Sequence, residues 1–406
     1  MKKRKFCLLL LFTAALPLLQ QADGQEVTIT VANPSHNQRQ EVAEVSLQTV
    51  CKLLGVSQDE PLTVRNALDQ EQPWQKSYDG KMLLQVSMQP GSKAVYTVIK
   101  GKSAAQQSLV SPQQSQVCGR IYPNRLDDLT WENDRGIYRF YGPALQRTGE
   151  RSFGTDVWVK NTPEPVAEYR YRLHMEGWAK GDSLRKAGKK AEGDAVFRDA
   201  SFHLDHGYGM DVYSVGASLG CGAPALMKGG QLVFPYCFKE CKILDNGPLR
   251  FTAELTYGTT DEGVTEHRRV SLDKGSHYNK MTVWYDGIKL PTALATGVVL
   301  HGGAAPVTST CSVLYADPTD NPKVHQSQIF VGTLFPVAVS EARVLEGNPR
   351  HAVGIVRPYT GQPYTYYFGS AWSNYDVRTM SHWQLLSEEY LQNIKTPLTI
   401  EITKTK

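Results

Sequence analysis

Two histidines, two aspartates and a tyrosine fall within nine residues of the glycine-rich stretch "HLDHGYGMDVYSVGASLGCGAPAL", His203 to Leu226. Each of these side chains can move a proton or hold a hydroxyl group. The glycines let the backbone take positive φ and come close to a ligand. The stretch lies between "VFRDAS" and the strand-like "QLVFPYCF" and reads as one long loop, the kind of connection that carries function. Its chemistry is general acid–base: His206 as the proton-transfer group, with Tyr208 and Asp211 as companions and His203 as a substrate contact. The competing reading is a hydrogen-bonded structural loop. His203-x-x-His206 is not the spacing of a strong zinc motif. No metal and no other cofactor is expected.

A second group is "WENDRGIYRFYGPAL", Trp131 to Leu145. A flat apolar ring such as Trp131 suits the C–H face of a pyranose. Glu132 suits its hydroxyls, and Arg135 suits a uronate carboxylate, which a guanidinium matches bidentately. "YYFGSAWSNYD" offers Trp372 and Tyr375 in the same role, and "TGVVLHGG" places His301 at a strand end before two glycines. The competing reading of these aromatics is a core face between strands. Glu254 and Glu266, on expected strands, form a possible acid–base pair, although acids on strands usually face solvent.

The elements that must position these residues are strands. "EVTITVAN", "MLLQVSMQPG", "AVYTVIKG", "LRFTAELTYGT", "KMTVWYDG" and "PLTIEIT" alternate apolar and polar positions, and 34 glycines and 22 prolines punctuate the chain. The pattern predicts an all-β protein with few helices: a small sandwich-like domain over 25–105 and a large antiparallel β domain over 118–406. A Ser- and Gln-rich linker joins them at 101–120. The best helical stripe is "SHWQLLSEEYLQNIK", with Trp383, Leu386, Tyr390 and Ile394 on one face and Ser381 as its cap. "KGDSLRKAGKKAEGDAVFR" reads as a solvated loop or short exposed helix.

Residues 1–24 read as a secretory signal peptide, with "MKKRKF" before an apolar run and small residues at the cleavage point. Export to the periplasm is therefore expected, without membrane insertion. Loss of Lys2, Lys3, Arg4, Lys5 and Asp23 brings the formal charge of +4 down to about +1. Nothing then favours a nucleic-acid partner, which needs a clustered basic face. Six cysteines remain, an even count that permits disulfides without choosing among pairings. "CFKEC", Cys237 to Cys241, lacks a second pair at zinc spacing. No P-loop, dinucleotide glycine motif, G-x-S-x-G elbow, H-E-x-x-H or EF-hand loop is present, which disfavours nucleotide use and common esterase and metalloprotease mechanisms.

Taken in order, "EVTITVANPSHNQRQEVAEV", "WENDRGIYRFYGPAL…GTDVWVK", "HLDHGYGMDVYSVGASLGCGAPAL", "ILDNGPLRFTAELTY" and "YYFGSAWSNYD" resemble the exported bacterial family called domain of unknown function 4861. The resemblance runs from about residue 26 to the C-terminus. It implies a galactose-mutarotase-like β-supersandwich and a setting of plant and algal polysaccharide breakdown, where members also occur joined to unsaturated rhamnogalacturonyl hydrolase domains. The family motif singles out His206 over His203, while His267-Arg268 looks peculiar to this chain. The implied partner is an oligosaccharide containing uronic acid, as in pectin. Lyase and hydrolase chemistry both stay open, as do a non-catalytic glycan-binding module and a sugar epimerase or mutarotase. Oligomeric state is not legible.

Overall fold

The computed structural model describes residues 25–102, 115–319 and 327–405. The expected signal peptide, and residues 103–114 of the expected linker, lie outside the described residues. The described residues are built of antiparallel sheets with five α-helices.

Two sheets make a small sandwich. One has the order Thr399–Lys404, Glu26–Ala32, Lys93–Lys100, Leu62–Asn66, Glu71–Gln72; the other runs Arg39–Ser46, Lys81–Met88, Trp74–Lys76. The strict alternation of Val27, Ile29 and Val31 puts all three inside, against Val64, Leu84 and Val98. Removing each such side chain from water contributes about 1.5–3 kcal/mol. A short helix, Leu47–Leu54, closes this core, and the Ser46 side chain accepts the Thr49 N–H at its start. The closing strand, expected within the larger domain, instead pairs with Glu26–Ala32 and adds Ile400 and Ile402 to the small core.

The larger unit is a supersandwich. Its main layer has eight strands: Phe238–Asn246, Arg250–Tyr257, Thr265–Asp273, Tyr278–Asp286, Tyr364–Trp372, Ile329–Leu334, Ser312–Asp317, Val307–Ser309. Facing it are a five-stranded sheet centred on Cys221–Lys228 and Thr292–Leu300, and a four-stranded sheet centred on Asp128–Glu132 and Ile137–Phe140. Period-two alternation sends Phe251, Leu255, Leu272, Met281 and Phe368 inward, against Trp131, Phe140, Leu294 and Val298. The two smaller sheets meet where Thr155 and Gly220 form a parallel bridge and Cys221 N–H donates to the Thr155 carbonyl at 2.8 Å. Gly220 has φ 56°, and a Cβ there would lie 2.2 Å from the Thr155 oxygen, so only glycine fits.

The outer face of the eight-stranded sheet carries helix Met380–Lys395, as the Trp383 stripe predicts. Trp383 is fully buried and stacks on Tyr278 at 5.0 Å. Its cap is Thr379 rather than Ser381; the Thr379 hydroxyl accepts the His382 N–H at 3.1 Å. The basic stretch at 180–198, read as a loop or short helix, lies in a hairpin of two helices, Ala167–Lys186 and Lys190–Ala200. Here backbone packs on backbone: a Cβ on Gly181 would come within 2.7 Å of the Gly193 oxygen, and one on Gly177 within 2.1 Å of the Ala200 Cβ. Glycines at a helix crossing leave no apolar period in the sequence. Among the described residues no helix is long and apolar enough to cross a membrane. The six cysteines are free thiols, not disulfides.

Candidate active site

The glycine-rich stretch is irregular from Ser201 to Gly220, then enters a strand at Cys221, earlier than its reading as one loop to Leu226. It is strapped down at several points. Val159 and Met210 exchange backbone hydrogen bonds of 3.0 and 2.9 Å, and Leu219 N–H donates to His351 Nε2 at 3.2 Å. Burial pushes the His351 imidazole down to about 4, which keeps it neutral and able to accept.

The strap presents its charge to Arg139 on strand Ile137–Phe140. The buried Arg139 guanidinium bonds the carboxylates of Asp156 and, at 3.1 Å, Asp211; Asp128 stands at 4.0 Å. Three acids around one cation in the core do not all ionise readily. Burial, opposed by Arg139, raises Asp156 to about 7, and it raises Asp211 and Asp128 as well. Asp156 is further held by Val157 N–H and the Trp158 indole at 2.9 and 3.1 Å. The Asp211 carbonyl lies 2.6 Å from His203 Nδ1, whose ring is half exposed. Burial lowers the His203 pKa, partly offset by that bond.

Further along the strap, Tyr213 is buried, and its hydroxyl has no hydrogen-bond partner among the described residues. Burial, with the charges of Asp317 and Asp156, holds its pKa well above the usual phenol value, so it is a neutral donor. Its ring meets His301 edge-on at 5.6 Å. His301, at the end of strand Thr292–Leu300, sets Nδ1 2.6 Å from Asp317 Oδ2 and keeps a little exposure. Asp317 is fixed in turn by Thr319, through N–H at 2.8 Å and Oγ1 at 2.5 Å. The Tyr315 hydroxyl accepts the His301 N–H at 3.2 Å and donates to the Gly302 carbonyl. An imidazole whose Nδ1–H is held by a buried carboxylate has Nε2 free to take a proton. Arg350, half exposed, is paired across the sheet with Leu300, beside His301, and its guanidinium is bonded to Glu346 at 3.0 and 3.1 Å.

The residues expected to form one site are scattered over five places. His301, His203 and Asp211 flank this sandwich end, with Asp211 tied to Arg139 rather than free to act on a ligand. His206 and Tyr208 sit on an exposed tip. There Asp205 turns the loop by accepting Gly207 and Gly209 N–H at 2.8 and 3.0 Å and does not orient His206, while Tyr208 rests edge-on against Tyr169. Glu132 is buried, pairs with Lys160 at 2.8 Å and accepts the first N–H groups of helix Ala167–Lys186. Arg135 bonds Asp376 at 2.6 Å, which also takes His277 Nε2 at 3.0 Å; Tyr375 donates to the Asp134 carbonyl nearby. Trp131 and Trp372 are core residues with no face for a sugar, and the Trp131 indole donates to Asn279 at 2.8 Å. Glu254 faces outward onto Arg269, while Glu266 is buried on Arg268 and Tyr285, so they form no pair.

Sequence reasoning missed Tyr213, Asp317, Arg139 and Asp156. Tyr213 lies inside the stretch singled out, and Asp156 inside "GTDVWVK". His301 and Asp317 come from opposing sheets, and no spacing announces that meeting. Among the described residues no group of three His, Cys, Asp or Glu side chains is arranged to hold a metal ion.

Residues 31–400 match the family model described as "Domain of unknown function (DUF4861)". "Uncharacterized protein P7" of Formosa agariphila is 25% identical over 336 residues, 79% of this chain and 78% of that protein. Among solved structures, an alpha-mannosidase from Enterococcus faecalis V583 aligns with a TM-score of 0.44 and 10% identity, over 93% of this chain and 46% of that one. A protein in glycosyl hydrolase family 38 from Enterococcus faecalis aligns with a TM-score of 0.47 and 10% identity, over 94% and 48%. The chain spans about half the length of these solved structures.

Proposed function

The chain belongs to the DUF4861 family, and on that premise we propose that it is an exported, periplasmic enzyme that cleaves uronate-containing oligosaccharides by β-elimination. The observation that carries the chemistry is the His301–Asp317 pair, whose imidazole keeps a little exposure and meets the buried Tyr213 ring edge-on. Support for the uronate comes from the polysaccharide setting that the family resemblance implies and from Arg350 beside the pair.

His301 Nε2 removes the proton from the carbon next to the uronate carboxylate. That electron pair forms the ring double bond as the glycosidic C–O bond on the adjacent carbon breaks. The departing oxygen takes its proton from water, since the Tyr213 hydroxyl is buried behind His301. Arg350, exchanging its Glu346 partner for the substrate, neutralises the carboxylate, without which the carbon acid is too weak. Hydrolysis would need two carboxyl groups set apart across the bond. Asp156 and Asp211, the paired carboxyls nearby, instead share the buried Arg139 guanidinium.

The test is to incubate the mature protein with pectic and other uronate oligosaccharides and follow product mass and ultraviolet absorbance. Elimination yields a new absorbance from the C=C–carboxylate without addition of water. A product one water heavier, without absorbance, overturns it in favour of hydrolysis.

A further inference from the structure

The strap that runs past His301 is pinned at its far end by a second histidine. His351 lies on strand Arg350–Tyr359, directly across from Val299 on one side and Leu345 on the other, and is 4% exposed. Its ring is bonded to the Pro349 carbonyl, which can only accept, so the nitrogen at that bond carries the proton. Nε2 is left as an acceptor and takes the Leu219 N–H at 3.2 Å. Around that bond the strap joins its neighbours. The Leu219 carbonyl accepts the Thr155 N–H at 3.2 Å, and the Gly220 carbonyl accepts the Val299 N–H at 3.0 Å, two residues before His301.

An imidazolium has no lone pair with which to accept. A proton on His351 Nε2 would face the Leu219 N–H, donor against donor, where burial leaves neither a substitute partner. The ring can take up that proton only as Leu219 moves away. Nothing nearby steadies a charged ring. The one charge that acts on it is that of His301, on the strand alongside. Arg350, next to it in sequence, is matched to Glu346. Strap residues 214–220 carry no titratable group, nor does Phe234, whose ring stands 6.4 Å from that of His351.

We propose that His351 is an acid-sensitive latch: neutral, it locks Leu219 and the strap beside the His301 site, and protonated, it lets the strap end lift. The latch stands on its own residues; only its effect on turnover rests on the elimination reading. Burial holds the ring down at about 4 while the strap is closed, against about 6.5 for a released imidazole. The closed form is therefore favoured at high pH and loses ground as pH falls from 6.5 through 4. Going from pH 7 to pH 5 raises the open fraction about twentyfold.

The test is hydrogen–deuterium exchange of the Leu219 to Cys221 amides in the full mature chain at pH 7, 6 and 5, corrected for the intrinsic pH dependence of exchange. It is run on wild type, His351→Gln, His351→Phe and His301→Asn. Wild type is expected to lose about twentyfold in protection from pH 7 to pH 5, and His301→Asn to do the same. His351→Phe removes the acceptor and is expected to lose about tenfold in protection already at pH 7. Neither His351 variant titrates, so protection in both is expected to be flat with pH; if His351→Gln does not fold, His351→Phe decides alone. Constant protection in wild type, a rise in exchange that persists in the His351 variants, or one that vanishes in His301→Asn overturns the proposal. Exchange needs no substrate, so an absence of turnover in wild type removes the elimination reading without touching this result.

Discussion

Replacing Arg139 by methionine removes one buried cation and leaves three buried acids behind. Asp156 is fully buried, and Asp211 and Asp128 nearly so. Breaking a buried ion pair by deleting one partner costs about 3–5 kcal/mol, because the remaining charge has no compensation. Arg139 is what opposes the upward push of burial on Asp156, Asp211 and Asp128, so their pKa values rise further without it. A carboxyl raised in the folded state favours folding at low pH and loses that advantage as pH climbs from its unfolded pKa through its folded one. The loss in Arg139→Met is therefore expected to be small near pH 4.5 and to reach the full 3–5 kcal/mol by about pH 8. Urea unfolding of wild type and variant at both pH values, with the m-value checked for constancy, reads the difference. Adding Asp156→Asn and Asp211→Asn to the variant is expected to recover most of it at pH 8. A loss equal at both pH values, or below about 1 kcal/mol at pH 8, refutes the reasoning.

Other perturbations follow from the same geometry. Gly220→Ala forces a left-handed backbone worth about 1–3 kcal/mol and adds a clash with the Thr155 carbonyl, so thermal unfolding is expected at a clearly lower temperature. Trp131→Ala is expected to cost about 3–5 kcal/mol while saccharide affinity per folded molecule is unchanged; a selective loss of affinity would restore its stacking role. Asp317→Asn is expected to shift the pH–rate profile and lower turnover roughly 10²–10⁴-fold with circular dichroism unchanged.

Much of the fold was legible because period-two alternation leaves a mark on every strand. Val27, Ile29 and Val31, or Phe251, Ala253 and Leu255, face inward as read. The helix over Met380–Lys395 was visible from one apolar stripe that starts at the fully buried Trp383. The helix hairpin was not, because Gly177, Gly181 and Gly193 make its contact and carry no hydrophobic signal. The return of Thr399–Lys404 to the first strand was hidden for another reason: its alternation says that it is a strand, not which sheet it joins. At the candidate site the stretch 203–226 was recognisable by composition, yet its roles were not. Asp205 is spent on turning the chain, Asp211 on Arg139, and the tyrosine that points at a histidine is Tyr213 rather than Tyr208. Trp131 and Trp372 show the same limit, since an aromatic on a strand reads alike whether it faces a sugar or the core.

The central claim is that His301, oriented by Asp317, is the base. The most direct measurement is turnover of a uronate oligosaccharide by wild type, His301→Asn and His206→Ala, each checked for fold by circular dichroism. The account predicts that His301→Asn loses roughly 10²–10⁴-fold in kcat with its fold intact, while His206→Ala, altered on an exposed tip, stays within a few-fold of wild type. Wild-type turnover in His301→Asn, or loss of turnover in His206→Ala alone, contradicts it.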